Sequence, residues 1–268
     1  MAPGFLAVLA DPGNQVSLHE FHDWYNNEHI PLRLNHLPSF LSGARYQSID
    51  GVKPSWIAVY EIDDTKTFKD ESYTALREKR SQREADLIGR LGVLDRRICQ
   101  VVREVGEAKS RTTGLRVGNP TRWIVTHEVG RSNENAETNE EEEEEEVVGW
   151  INEVVAMLES NMMGGWVKTR VFKVLESGKT GLDLSSSGGD QNVPSHFVFH
   201  GEGFPTYYSC VTKSRILEFI SEESANSPIF RNIIEDNSNS SLRFSEFRRW
   251  QLYKSYPCLA QGNVEHKA

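Results

Sequence analysis

The chain has 268 residues, 38% of them hydrophobic, and a formal net charge of -9. That length allows one large domain or two of ordinary size, and the acidic balance excludes the basic footprint of a general nucleic-acid binder. No segment approaches the roughly 20 apolar residues of a spanning helix, the N-terminus is no signal peptide, and Cys99, Cys210 and Cys258 fit no metal spacing. The expectation is a soluble cytoplasmic protein with reduced thiols, no metal, and neither nucleic acid nor membrane as partner.

Residues 4–10 are apolar and closed by Asp11-Pro12-Gly13-Asn14, which predicts a strand and a turn. Ser17 and Glu20 have the spacing of a capping box, so a helix starts near Leu18. Pro31 disfavours helical geometry at Ile30, where that helix should end or kink. Strands follow over 40–48 and 55–62, joined by Asp50-Gly51, then one long helix over 67–89 and a strand over 97–105. The order strand, helix, strand, strand, helix, strand is that of a ferredoxin-like unit, placed at residues 1–108.

The pattern recurs over 119–256. Strands are predicted at 123–129, 166–175, 196–200 and 244–253, with a helix over 147–160 and a broken helix over 213–223 and 229–235. Pro54-Ser55-Trp56 echoes Pro194-Ser195-His196, and Arg96-Arg97 echoes Arg248-Arg249. Residues 131–146, ending in a Glu run, and 177–192, rich in Ser and Gly, have the composition of disordered insertions. The tail, 257–268, is expected to fray. The fold class is therefore α+β: two tandem ferredoxin-like βαββαβ units packed as a dimeric-type α/β barrel within one chain. The second unit is the degenerate one.

On a helical wheel Leu18, Phe21, His22, Tyr25 and His29 share one inward face, with Trp24 and Glu28 flanking it and Glu20, Asp23 and Asn27 outside. Histidines and a tyrosine facing a core need partners, which Glu28 and the strand residues Arg45, Tyr46 and Tyr60 can supply. Taken singly, His22, Tyr25 and Trp24 read as core residues. His29 reads as functional, because a helix C-terminus would raise its pKa and poise it for acid–base chemistry. Aligning Trp24 with Trp150 puts Val148, Ile151 and Val155 where His22, Tyr25 and His29 stand, so the second half does without the polar set.

The run Trp24-Tyr25-Asn26-Asn27-Glu28-His29-Ile30-Pro31, with Phe40, Arg45-Tyr46 and Asp50-Gly51 downstream, resembles the EthD-like family of the dimeric α/β-barrel superfamily. The resemblance covers residues 1–106, and the whole chain looks like the tandem fungal form. It implies two ferredoxin-like sheets packed face to face, a monomer with an internal pseudo-dimer or a homodimer, and one site per chain. It makes His29 the acid–base candidate, with Glu28 orienting it or binding substrate. His22, Tyr25, Arg45, Tyr46 and Tyr60 would hold the substrate.

The function these readings favour is a cofactor-independent lyase, isomerase or cyclase, decarboxylation included, acting on an oxygenated aromatic or polyketide-like small molecule. The alternative is a non-catalytic ligand-binding or scaffold protein of the same fold. A haem enzyme ranks third, since the segment 67–89 holds no histidine to ligate iron.

Overall fold

Alternation along the strands decides the architecture. In β1 (Gly4–Asp11) every residue is buried, so the strand must be covered on both faces. Phe5, Ala7 and Leu9 join one core cluster while Leu6, Val8 and Ala10 join another. The computed structural model describes residues 2–106, 112–131, 140–161, 166–184, 195–202 and 242–264. The other strands are β2 (Phe40–Ser48), β3 (Trp56–Ile62), β4 (Val93–Val105), β5 (Trp123–Arg131), β6 (Trp166–Thr180), β7 (His196–Glu202) and β8 (Leu242–Tyr256).

The eight strands close into one barrel in the order β1-β3-β2-β8-β5-β7-β6-β4, every neighbouring pair antiparallel. The first four lie as β4-β1-β3-β2 and the last four as β8-β5-β7-β6, joined at the β2–β8 and β4–β6 seams. Closure leaves no free edge. The barrel interior is one core, and helices cover the outside of each half to make two more.

The interior also holds charge, paired across the halves. Arg170 reaches Glu61 at 2.6 Å and Arg97 reaches Glu128 at 2.5 Å. Asp95 takes a second bond from Arg97 at 2.9 Å. Burial alone would lower the Arg97 pKa, but these two carboxylates more than reverse it. Each cross-half pair joins a strand of the first four to one of the last four, and breaking one would strand a buried charge.

Several expectations need correction. The first helix does not end at Pro31. It runs as α1 (Leu18–Trp24), a π-helical turn (Tyr25–His29) and α2 (Ile30–Leu34). The Ile30 amide bonds back to the Tyr25 carbonyl, five residues earlier, and Pro31 occupies the first turn of α2, where a missing N–H costs little. The long helix expected over 67–89 is a 3-10 turn (Thr65–Lys69) followed by α3 (Glu71–Glu78) and α4 (Gln82–Arg90). Ser81 caps α4 by accepting from the Glu84 amide at 3.0 Å, a restart signal inside that segment.

In the second half α5 (Glu140–Asn161) begins within the Glu run, so that run is helical rather than disordered from Glu140 onward. Glutamate favours helix, and its charge suits the N-terminal end. Strand β6 likewise extends to Thr180, into the second expected insertion. The tail does not fray directly after β8: Cys258 is buried and its thiol meets the Leu41 carbonyl at 3.2 Å. The broken helix expected over 213–235, Cys210, and residues 132–139 and 185–192 of the insertions lie outside the described residues.

Candidate functional site

Three devices bring polar side chains between the first helix and the sheet. Ser17 accepts from the Glu20 amide at 3.1 Å and fixes where α1 starts. The π turn adds a residue to one turn and so rotates α2 relative to α1; within α1 itself Trp24 is fully buried rather than flanking, while Leu18 is 50% exposed rather than inward. Gly43 lies opposite Tyr60 in the sheet register, and a Cβ there would meet the Tyr60 ring at 2.9 Å and Leu34 at 3.1 Å. A glycine at that place lets Tyr60 and α2 settle over the sheet.

His29 is held by Glu84 of α4, not by Glu28. Its Nδ1 meets Glu84 Oε1 at 2.5 Å. Since an ionised carboxylate only accepts, the neutral ring carries its proton on Nδ1 and presents a lone pair at Nε2. Burial, then the Arg33 charge, push the His29 pKa down to about 4, with Glu84 opposing them. Burial raises the Glu84 pKa, but the hydrogen bond and charge of His29, with Arg33, outweigh it and leave the carboxyl lowered. His29 therefore does not sit poised near neutrality, and the expected helix C-terminus is absent because the helix continues to Leu34. Glu28 points toward α4, where Ser81 donates to it and Arg83 lies 3.6 Å away.

Arg45, on β2, is fully buried beneath this helix. Its Nη2 donates to His22 Nδ1 at 3.1 Å, which puts the His22 proton on Nε2. Burial and the Arg45 charge lower the His22 pKa to about 4. The guanidinium carbon lies 4.1 Å from the Tyr25 ring centroid and 5.0 to 5.2 Å from those of Phe21, Trp56 and Tyr253. Among the described residues no carboxylate comes within ion-pair distance of Arg45, and its Nε and Nη1 find no hydrogen-bond partner.

Tyr25 and Tyr60 share this condition. Both hydroxyls are buried and unpartnered among the described residues, as is Trp24 Nε1. Burial raises the Tyr25 pKa to about 12, and burial with the neighbouring Tyr25 raises that of Tyr60. Both stay protonated at neutral pH and can donate. Such orphaned atoms are rare in folded proteins, because each costs about 1–3 kcal/mol. Here all of them are donors or can be.

Tyr46 is not part of this cluster. Neighbours on a strand point to opposite faces, so Tyr46 enters the barrel interior and donates to the Thr121 carbonyl at 3.0 Å. His22, Tyr25, His29, Arg45 and Tyr60 are brought together. Glu84, Tyr253 and Tyr256 join them without having been singled out from sequence. Glu84 had a local signal, its place three residues after Ser81, but that signal speaks of a cap and not of His29. Tyr253 and Tyr256 arrive from β8 of the other half, a placement only the β2–β8 seam creates. Helices α3 and α4 contain no histidine, and the described residues hold no cluster of three or more metal-ligating side chains.

No family model and no curated protein matches the chain. Solved structures do. An anthrone oxidase-like protein matches with a TM-score of 0.50 and 9% identity, over 100% of this chain and 95% of its own. A heme-binding protein from Thermus thermophilus matches with a TM-score of 0.45 and 12% identity, over 94% and 92%. The chain has an α+β fold similar to the dimeric α/β barrels. At 9% identity the likeness is one of fold alone. No described helix is long and apolar enough to cross a membrane.

Proposed function

We propose that the protein is a lyase, isomerase or cyclase, decarboxylation included, that acts on an oxygenated aromatic or polyketide-like small molecule by proton transfer at His29. The observation that carries this reading is the buried His29–Glu84 pair set beside hydroxyl and guanidinium donors that lack an acceptor. A neutral imidazole can take a proton from carbon next to a carbonyl, and Glu84 then stabilises the imidazolium. The electron pair of the broken C–H bond moves onto the carbonyl oxygen, where Tyr25, Tyr60 and Arg45 can donate to the oxyanion. Return of the proton to another carbon gives isomerisation. For an acid substrate Nε2 of His29 first takes the carboxyl proton; loss of CO2 from the carboxylate then leaves a carbanion, to which His29 returns that proton. Neither route needs a cofactor.

The two strand orders support reading each half as a ferredoxin-like unit, residues 1–108 and 119–256, with residues 257–268 as a tail. One chain would then build the barrel that EthD-like relatives build from two, as a monomer with an internal pseudo-dimer. A second reading, a ligand-binding protein without chemistry, is favoured by the unbalanced Arg45, which calls for an anion whether or not a reaction follows.

The test compares small-molecule profiles of the source organism with the gene intact, deleted, and restored as His29→Ala, after the variant is shown to be folded and at normal level. Accumulation of a precursor in both the deletion and the variant is the expected result. A folded variant that restores the intact profile would favour the second reading.

A further inference from the structure

We propose that the ligand of this site is a planar aromatic carboxylate or equivalent organic anion, bound by Arg45 and stacked against Tyr253, so that the second half of the chain completes a site carried by the first. The proposal rests on the location of the site argued above and names what it binds. It does not depend on the chemistry assigned to His29.

Charge is the first support. The ionic groups that bear on Tyr25, Tyr60 and His29 are Arg33, Arg45 and Glu84. With His29 neutral, two cations face one anion, a net charge of 2 - 1 = +1. A buried cation without a counterion is costly, and cation–π contacts recover only about 0.5–2 kcal/mol. The neighbouring Tyr256 does not balance it. Burial raises its pKa to about 12, against the charge of Arg45 and a hydrogen bond from that side chain, so it stays a neutral phenol, and its hydroxyl donates to Asn26 Oδ1 at 2.5 Å. Nη1 and Nε lie on different edges of the guanidinium, with Nη2 between them held by His22, so each offers a carboxylate oxygen a single charge-assisted bond.

Shape is the second support. The walls around Arg45 are rings: Phe21, Tyr25, Trp56 and Tyr253. Tyr253 is the exposed member, 41% accessible, whereas Trp56 is buried. It lies nearly parallel to the His22 ring, with centroids 4.6 Å apart and an interplanar angle of 14°, and edge-on to Trp56 at 5.3 Å. His22 and Tyr253 therefore stand between solvent and the guanidinium. A flat ligand that takes a place in this stack beside Tyr253 would set its anionic end toward Arg45. Offset stacking of a ring pair adds about 0.5–1.5 kcal/mol beyond area burial, which selects an aromatic over an aliphatic anion.

The experiment is calorimetric titration of the full chain with 1-naphthoate, its neutral isostere 1-naphthamide, and octanoate. The same titrations are run on Arg45→Met, Tyr253→Ala and Val155→Ala, each checked for folding by circular dichroism. The unmodified protein should bind 1-naphthoate at least tenfold more tightly than either other probe. Arg45→Met should erase the preference over the amide, and Tyr253→Ala should weaken 1-naphthoate about fivefold with little change for octanoate. Val155→Ala, in the opposite layer under α5, should leave 1-naphthoate binding within about twofold. Equal binding of naphthoate and naphthamide, equal binding of naphthoate and octanoate, or no naphthoate binding overturns the proposal on the unmodified chain alone, even if Arg45→Met does not fold. If naphthoate binds as expected but His29→Ala still restores the metabolite profile, the ligand assignment stands and the catalytic reading falls.

Discussion

The two helix-covered faces of the barrel have the same architecture and different chemistry. Under α5 the layer is mostly apolar: Val147, Ile151, Val154 and Leu158 are fully buried, with Trp150 and Val155 beside them, although His127 and His196 are buried there too. Under α1 and α2 the corresponding layer holds His22, Tyr25, His29, Arg45 and Tyr60. The sheet residue changes too. With Ser55 matched to Ser195, Ala58 corresponds to Val198, and their partners on the adjacent strands are Arg45 and Val171. Val171 is fully buried in the apolar layer. A sheet and helix can thus be held together at this position by valine alone, and the arginine of the first half is not a requirement of the fold.

The largest contrast should appear in activity. Once a precursor has been identified, His29→Ala should lower turnover by about 10²–10⁴-fold, the usual contribution of a positioned acid–base group. Val155→Ala, its counterpart on α5, should leave turnover nearly unchanged and lower stability by about 1–3 kcal/mol. Steady-state kinetics and urea unfolding on both variants check this, and comparable turnover losses would erase the distinction. Glu84→Gln should also impair turnover, by less than His29→Ala, whereas Glu28→Gln should not.

Exchanging charge between the halves gives the next effect. Val171→Arg places an unpaired cation in the apolar layer and should cost about 3–5 kcal/mol. Arg45→Met removes one and should be neutral or stabilising by about 1–4 kcal/mol. A strongly destabilised Arg45→Met would mean that the guanidinium holds the first layer together.

Acid should weaken both halves alike. Burial is the leading cause that holds His22, His29 and His196 at about 4 and His127 at about 3, against an ordinary value of 6.5. These groups are neutral in the folded protein and take up protons more readily when unfolded. Their contribution is complete above about pH 6.5 and is lost as pH falls toward 4. The urea midpoint should fall across that window, and His29→Gln or His127→Gln should flatten the slope. A midpoint that stays constant throughout that acid window would contradict the burial assigned to them. The smallest effect is local: Ser17→Ala should cost about 1 kcal/mol through the lost cap, measurable as a lower urea midpoint.

How much of this was legible in the sequence differs by level. The strands were readable because β-rich apolar runs and their turns are local signals, and β2 begins and ends where the pattern puts it. The first helix was readable from its cap, but its continuation past Pro31 was not, since a π turn resolves a conflict that only packing decides. The Glu run misled because composition marks it as solvated, which a helix exposed on one side also satisfies. His29, Tyr25 and Arg45 were readable as one cluster from helical and strand spacing. Glu84 and Tyr253 were not, because they come from 55 residues away along the chain and from the far seam of the barrel. The sign of the His29 shift was missed for the same reason: burial by distant elements outweighs a local dipole.

The central claim is that the polar layer of the first half exists for a ligand at some expense in stability. The cleanest test removes only the two orphaned hydroxyls, leaving every ring in place, by measuring urea unfolding of Tyr25→Phe/Tyr60→Phe. The midpoint should rise, by up to about 1–3 kcal/mol for each unpartnered hydroxyl removed, while the variant fails to restore the metabolite profile. A midpoint lowered by a comparable amount would contradict the claim, since it would show that those hydroxyls hold the fold.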